Sequence, residues 1–157
     1  MTVSQTLRKF VHLARRGPLI HRSARRAGAR HVQALEVVAA SAAAFAQAAR
    51  LDNGERGRQN AMRHFIWQGY LASRVGQSIA RQVADDYEEG SPDPVDSRVD
   101  SHNNAVAWQW AAGHGQQLSR LSRRAALVRL ARVAAAKWSD GSLTSAQRLR
   151  QSGNTLE

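Results

Sequence analysis

Residues 31–50 read HVQALEVVAASAAAFAQAAR, with nine alanines in twenty positions and neither glycine nor proline. Such a stretch is strongly helix-forming, because alanine loses no side-chain entropy in a helix and has no branch to crowd the preceding turn. Val32, Leu35, Val38, Ala39 and Ala42 recur at helical intervals, so the spacing predicts a helix from about His31 to Arg50 with that stripe as its apolar face. Small side chains supply little bulk and aromatics are only 6% of the chain, so the core must come from closely packed helices instead of sheet layers. The expected fold is all-α, and 157 residues suit one domain with one core. We read a bundle of about five to six helices over 31–157, with a motif core at 58–113 and a basic N-terminal arm at 1–30.

The remaining elements follow from the same periodicity. SQTLRKFVHLARR places Leu7, Phe10, Val11 and Ala14 at helical spacing among basic residues, and Gly17 and Pro18 are expected to end that amphipathic helix. From Arg22 to Arg30 the run RSARRAGAR offers charge without periodicity and reads as a flexible or surface segment. LDNG at 51–54 is a stop, and a third helix opening near Arg58 sets Asn60, His64, Trp67 and Leu71 on one face. Gly76 in its continuation either permits close packing or marks a break. EEGSPDPVDS, 88–97, is a loop, and a fourth helix is expected from Ser97 or Asp100 to a glycine cap at Gly113. The longest amphipathic run, 118–138, opposes Leu121, Leu127, Val128 and Leu130 to Arg120, Arg123, Arg124, Arg129 and Arg132. A turn at Asp140 and Gly141 precedes a short final helix.

Charge is unevenly distributed. The net charge is +11, and residues 1–50 carry +8, 51–100 carry −3 and 101–157 carry +6. Basic flanks of this kind imply an anionic substrate or surface, either membrane lipid or nucleic acid. No run approaches the roughly eighteen consecutive apolar residues of a membrane span, so a transmembrane chain is not expected. VVAASAAAFAQAA, 37–49, has the length of a secretory core but follows 36 residues that include Glu36 and many arginines. Synthesis in the cytoplasm is expected, with any export by a non-classical route. The chain has no cysteine, which excludes disulfides, thiolate zinc sites and cysteine nucleophiles. Repeats, Gly-rich phosphate loops and GxSxG elbows are absent from the sequence as well.

Two short polar stretches interrupt this apolar pattern: NAMRH at 60–64 and DSHNN at 100–104. Asn and Asp compete with the backbone for hydrogen bonds inside helices, so their presence there calls for a compensating interaction. Asn60 and His64 lie four apart on one helix face, and Asp100, Asn103 and Asn104 are grouped on another. Seven of the twelve acids fall between Asp85 and Asp100, next to both. An imidazole with carboxylates can bind a divalent cation or move a proton, while Asn and Arg orient an oxyanion. In that reading His64 is a metal ligand or general base, Glu88 and Asp100 are carboxylate ligands or water activators, Arg63 holds substrate charge, and Asn103 and Asn104 position. The same residues can equally form surface salt bridges, with Asp100 serving as an N-cap. His102 points away from Asp100, and His114, between two glycines, reads as a structural residue at a helix end. Trp108 and Trp110 face different sides, one towards the core and one towards a rim.

NAMRHFIWQGYLASRVGQSIARQVADDYEEG followed by VDSHNNAVAW resembles an uncharacterised all-helical domain of bacterial secreted polymorphic toxins. That family's pattern is N-A-x-R-H-A-x-W, then a glycine and an H-E pair, then M-D-x-x-N-N-x-x-G. Asn60, Arg63, His64 and Trp67 match the first part, Glu88 the acid of the pair, and Asp100, Asn103 and Asn104 the last. The match spans residues 60 to about 108. The resemblance implies a toxin-effector hydrolase with an immunity-type protein partner. Two departures bear on chemistry: Tyr87 stands in place of the histidine, which removes a metal ligand, and Ala107 stands in place of a glycine.

Overall fold

The helix that carries the first motif is buried on every side. In α3 (Arg56–Arg74), Ala61, Met62 and all residues from His64 to Leu71 are buried, as expected of a helix enclosed by others. The computed structural model describes residues 16–51, 55–89 and 93–152. Around α3 stand α1 (16–26), α2 (His31–Leu51), α4 (Gln77–Glu88), α5 (Pro94–Ser119), α6 (Arg123–Ser139) and α7 (Ala146–Ser152). The described residues therefore form seven helices with no strand, an all-α single domain. The amphipathic helix expected over residues 4–16 lies outside them, Arg16 apart.

Two features raise the helix count above the expected five to six. Gly76 adopts φ 103°, a left-handed conformation that only glycine takes without strain, and it separates α3 from α4. Residues 16–26, through Gly17 and Pro18, are helical instead of flexible because Ile20 and Ala24 are buried in the common core. Their neighbours Arg25 and Arg26 are tied down, Arg25 Nη1 donating to Ala29 O at 2.6 Å and Arg26 Nη2 to Asp86 Oδ2 at 2.7 Å. Charge without apolar periodicity thus conceals a helix anchored by two apolar side chains and by ion pairing.

α2 forms where expected, but its buried stripe is rotated from the expected one, of which Val38 alone is packed against the core as a partly buried side chain. Ala34, Val37, Ala40, Ala44 and Ala48 face inward, while Val32 and Leu35 are 76% and 52% exposed. The alanine face lets α2 approach α3 closely, and burial of that surface outweighs the larger side chains on the other side. α2 is long and apolar enough to cross a membrane, with 28% of that apolar window buried inside the bundle, and Glu36 ties it to α3 and α6. Tyr70 Oη on α3 and Arg123 on α6 both donate to the Glu36 carboxylate. Burial acts to raise the Glu36 carboxyl, and the Arg123 and Tyr70 bonds more than offset this and hold it below its ordinary value. At Gly69 a Cβ would lie 2.8 Å from Leu130 Cδ2, so the glycine lets α6 approach α3.

Asp86 joins α4 to α1. The Ser23 hydroxyl, then the Gln82 amide and the Arg26 guanidinium, hold its carboxyl below its ordinary value of 3.8 against the opposing effect of burial. A depressed pKa contributes stability above the unfolded value, and that contribution disappears as pH falls through the folded one. Asp86→Asn is therefore expected to cost about 1–2 kcal/mol at neutral pH. The variant should also show less Tm loss than wild type as pH drops below about 4, which a melting series across acidic pH will read directly.

α5 starts earlier and ends later than the sequence suggests. Asp93 is its N-cap, accepting from Val95 N at 2.8 Å, and Pro94 occupies the first helical position where its missing N–H costs nothing. Asp100 is thereby freed from any capping role. The helix passes through Gly113 and Gly115, so His114 is interior to it and stacks on Trp110 with ring centroids 4.4 Å apart. A break at 120–122, where Ser122 caps α6, divides the long arginine-faced run.

Candidate functional site

The polar stretches meet along the seam between α3 and α5. Asn60 Nδ2 donates to Asp100 Oδ1 at 2.6 Å, His64 Nδ1 pairs with Asn104 Oδ1 at 3.0 Å, and Trp108 Nε1 donates to Gln68 Oε1 at 3.1 Å. Each pair is separated by forty residues and each step is one helical turn. A constant offset means that the two helices run parallel, because α4 carries the chain back before α5 begins. The seam is a three-rung polar ladder within an otherwise apolar core. It supplies the compensation that Asn, Asp and His require when buried, since each accepts or donates across the interface.

His64 occupies the centre and is completely buried. Arg63 Nη2 lies 2.8 Å from His64 Nε2, and a guanidinium has no acceptor, so in the neutral ring the arrangement that satisfies both contacts puts the lone pair on Nε2 and the hydrogen on Nδ1, facing Asn104 Oδ1. Asp100 Oδ2 lies 3.2 Å from the same Nε2. Glu88, at the end of α4, completes the group: one ligand atom from each of His64, Glu88 and Asp100 lies within 4.8 Å of the other two. Trp67 and Tyr87 wall the imidazole, with ring centroids 6.5 and 6.3 Å from it. This wall keeps the local dielectric low and strengthens each electrostatic interaction inside it. Asn60, Arg63, Tyr87 and Glu88 are half-buried and make the rim.

Glu88 bears the electrostatic cost of this arrangement. Its Oε1 is buried and makes no hydrogen bond among the described residues. Burial, and secondarily the Asp100 charge, raise its carboxyl above the ordinary 4.5, while His64, Arg63 and Arg16 act in the opposite sense. A raised acid pKa means that the fold loses stability as pH rises through that value. Glu88→Gln is thus expected to raise Tm at neutral pH and not at pH 4. The gain is at most about 1 kcal/mol, because solvent reaches part of the side chain.

Five of the six residues expected at the site converge: Arg63, His64, Glu88, Asp100 and Asn104. Asn103 does not. Its Nδ2 donates to Thr144 O and its Oδ1 accepts from Thr144 N, both at 3.0 Å, so it fastens α5 to the segment before α7. Adjacent helix positions diverge by about 100°, which is why the Asn pair splits between two tasks. His102 likewise turns away, pairing with Ser142 O at 3.0 Å. Trp108 is the core tryptophan and Trp110 is half-buried. Gln68, Tyr87 and Arg16 join the site without having been expected as members of it. Continuing the four-residue period from Asn60 and His64 reaches Gln68, and from Asp100 and Asn104 it reaches Trp108, so that rung has a signal in the sequence. Arg16 has none, since only the fold sets its guanidinium 4.7 Å over the Tyr87 ring and within 2.9 Å of Tyr87 O.

A family described as a domain of unknown function (DUF6973) matches residues 27–135. The chain belongs to that family. The DUF6973 region contains α2 to most of α6 and with them every rung of the ladder, whereas Arg16 and Thr144 lie outside it. Neither the curated proteins nor the solved structures compared with the chain gave a match.

Proposed function

We propose that this DUF6973 chain is a small hydrolase of toxin-effector type acting on an anionic substrate at the α3–α5 seam. The observation that carries the reading is the convergence of His64, Asp100 and Glu88 within 4.8 Å in a buried, aromatic-walled site. The His64 Nε2 lone pair, two carboxylates and a flanking guanidinium are the parts required to activate water beside a negative charge. Water adds to the electrophilic centre of the substrate, its proton is taken up at the cluster, and the leaving group departs with a proton returned from the cluster. Arg63 and Arg16, both of which act electrostatically on Glu88, are the residues proposed to hold the anionic group. Asn104 and Asn60 orient His64 and Asp100. The effector character rests on the resemblance of the 60–108 motifs, and an immunity-type partner would then cover the rim.

Expression in bacterial cytoplasm and, separately, in periplasm tests this reading. Wild type should arrest growth in one compartment and His64→Asn in neither, and the compartment identifies the substrate class. Equal growth of the two proteins in both compartments sinks the hydrolase.

A second reading, binding of anionic lipid or nucleic acid without catalysis, is favoured by the exposure of Arg22, Arg25, Arg30, Arg120, Arg124 and Arg132. It predicts affinity for DNA or anionic vesicles that falls steeply with added salt. Part of the basic charge already has internal work: Arg26 pairs with Asp86, Arg123 with Glu36, and Arg129 Nη2 donates to Gln117 at 2.9 Å.

A further inference from the structure

The geometry points to a divalent-cation site formed by His64 Nε2, Asp100 Oδ2 and a carboxylate oxygen of Glu88, held in a latched form by Arg63. This inference rests on reading the cluster as a hydrolytic centre and specifies how that centre would activate water.

Three observations support it. The first is the tautomer. Because His64 Nδ1 donates to Asn104 Oδ1 at 3.0 Å, the Nε2 lone pair is directed at the Asp100 carboxylate 3.2 Å away. A lone pair facing a carboxylate oxygen is repulsive unless positive charge lies between or beside them. Metal-binding histidines are held in the same way, by an acceptor that fixes the nitrogen remote from the ion. Secondly, Glu88, a member of the same cluster, has a buried Oε1 without a hydrogen-bond partner among the described residues, which leaves its carboxylate an acceptor whose natural complement is a cation. Thirdly, the spacing fits. Ligands bound tetrahedrally at about 2.0–2.2 Å are about 3.3–3.6 Å apart; His64 Nε2 and Asp100 Oδ2 are 3.2 Å apart already, and the group as a whole, within 4.8 Å, closes on an ion by a side-chain movement of little more than about 1 Å. Asp100 is itself oriented by Asn60 at 2.6 Å. A set of one imidazole and two carboxylates suits first-row divalent ions such as Mn²⁺, Co²⁺ or Zn²⁺, and the absence of a third strong ligand at Tyr87 leaves positions for water. When bound, such an ion supplies a Lewis acid and lowers the pKa of that water.

Arg63 is the competing cation. Its Nη2 donates to the very lone pair the ion would take, at 2.8 Å, so ion and guanidinium exclude each other at Nε2. The Phe45 ring, 5.5 Å from Arg63 Cζ, supports the guanidinium on the rim side. Ion entry releases Arg63 towards the rim, where it meets substrate charge, so loading and substrate capture are coupled.

The test is titration of the full 157-residue chain with Co²⁺, followed by visible absorption, and with Mn²⁺ and Zn²⁺ by calorimetry. One equivalent is expected to bind. Glu88→Gln and Asp100→Asn should weaken it by more than about 10-fold, Asn104→Ala by about 10-fold or more, and Arg63→Ala should tighten it. Binding unaffected by Glu88→Gln, or no binding of any of the three ions at millimolar concentration, overturns the site. Weaker binding by Arg63→Ala overturns the latch. Failure of this inference and of the hydrolase are separable: growth arrest by a wild-type chain that binds none of the three ions removes the metal alone, and stoichiometric binding by a wild-type chain as harmless as His64→Asn removes the hydrolase alone.

Discussion

Replacing His64 with alanine is expected to eliminate the activity and to weaken the fold, and the two losses can be separated. The ring is completely buried and contacts Arg63, Asp100 and Asn104, so alanine leaves a cavity lined by groups without their partner. Cavity formation and unsatisfied polar groups together cost about 3–5 kcal/mol. His64→Asn isolates the chemistry, because its side-chain amide can still donate towards Asn104 from near the Nδ1 position while nothing replaces Nε2. For this variant we expect a Tm within several degrees of wild type but turnover reduced by about 10²–10⁴-fold. Denaturation curves and turnover measured on the same preparations decide it. A His64→Asn protein that turns over normally would assign the imidazole to structure alone.

Asn103→Ala should show the opposite profile. Asn103 is completely buried and makes reciprocal bonds at 3.0 Å with both backbone polar groups of Thr144. Alanine leaves a buried N–H and a buried C=O unpaired, at about 1–3 kcal/mol each. A loss of about 2–5 kcal/mol is therefore expected, with turnover per folded molecule unchanged. Chemical denaturation with activity normalised to folded fraction will show it. If Asn103→Ala abolished turnover at unchanged stability, both asparagines would belong to the reaction. The contrast between Asn103 and Asn104 tests whether the site lies on one face of α5 or extends round it.

Much of the site is legible in the spacing of its residues. Four-residue intervals place Asn60 above His64 and Asp100 above Asn104, and helical geometry makes each pair a single face. Glu88 is marked by the family resemblance and by acidic clustering, and the fold brings it to the other two. The departures share a cause. Local spacing suggests a helix end at His114, a positioning role for Asn103 and a buried Val32–Leu35 stripe, whereas the environment of each depends on where neighbouring helices lie. Propensity alone ends α5 at Gly113, yet tertiary contacts carry it to Ser119 because glycine disfavours a helix interior by only about 1 kcal/mol.

By itself the sequence determined that this chain folds as packed helices, through its alanine content and lack of bulky strand-formers, and that polar groups recur at intervals able to share a helix face. Only the tertiary structure decided that α3 and α5 run parallel in register, so that three polar rungs align, and that Arg16 and Glu88 come to the same rim. The reason is physical: helix periodicity is set by backbone geometry within a few residues, whereas the pairing of two faces forty residues apart depends on the turn at Gly76, the cap at Asp93 and close packing of the small-residue faces on α2 and α3.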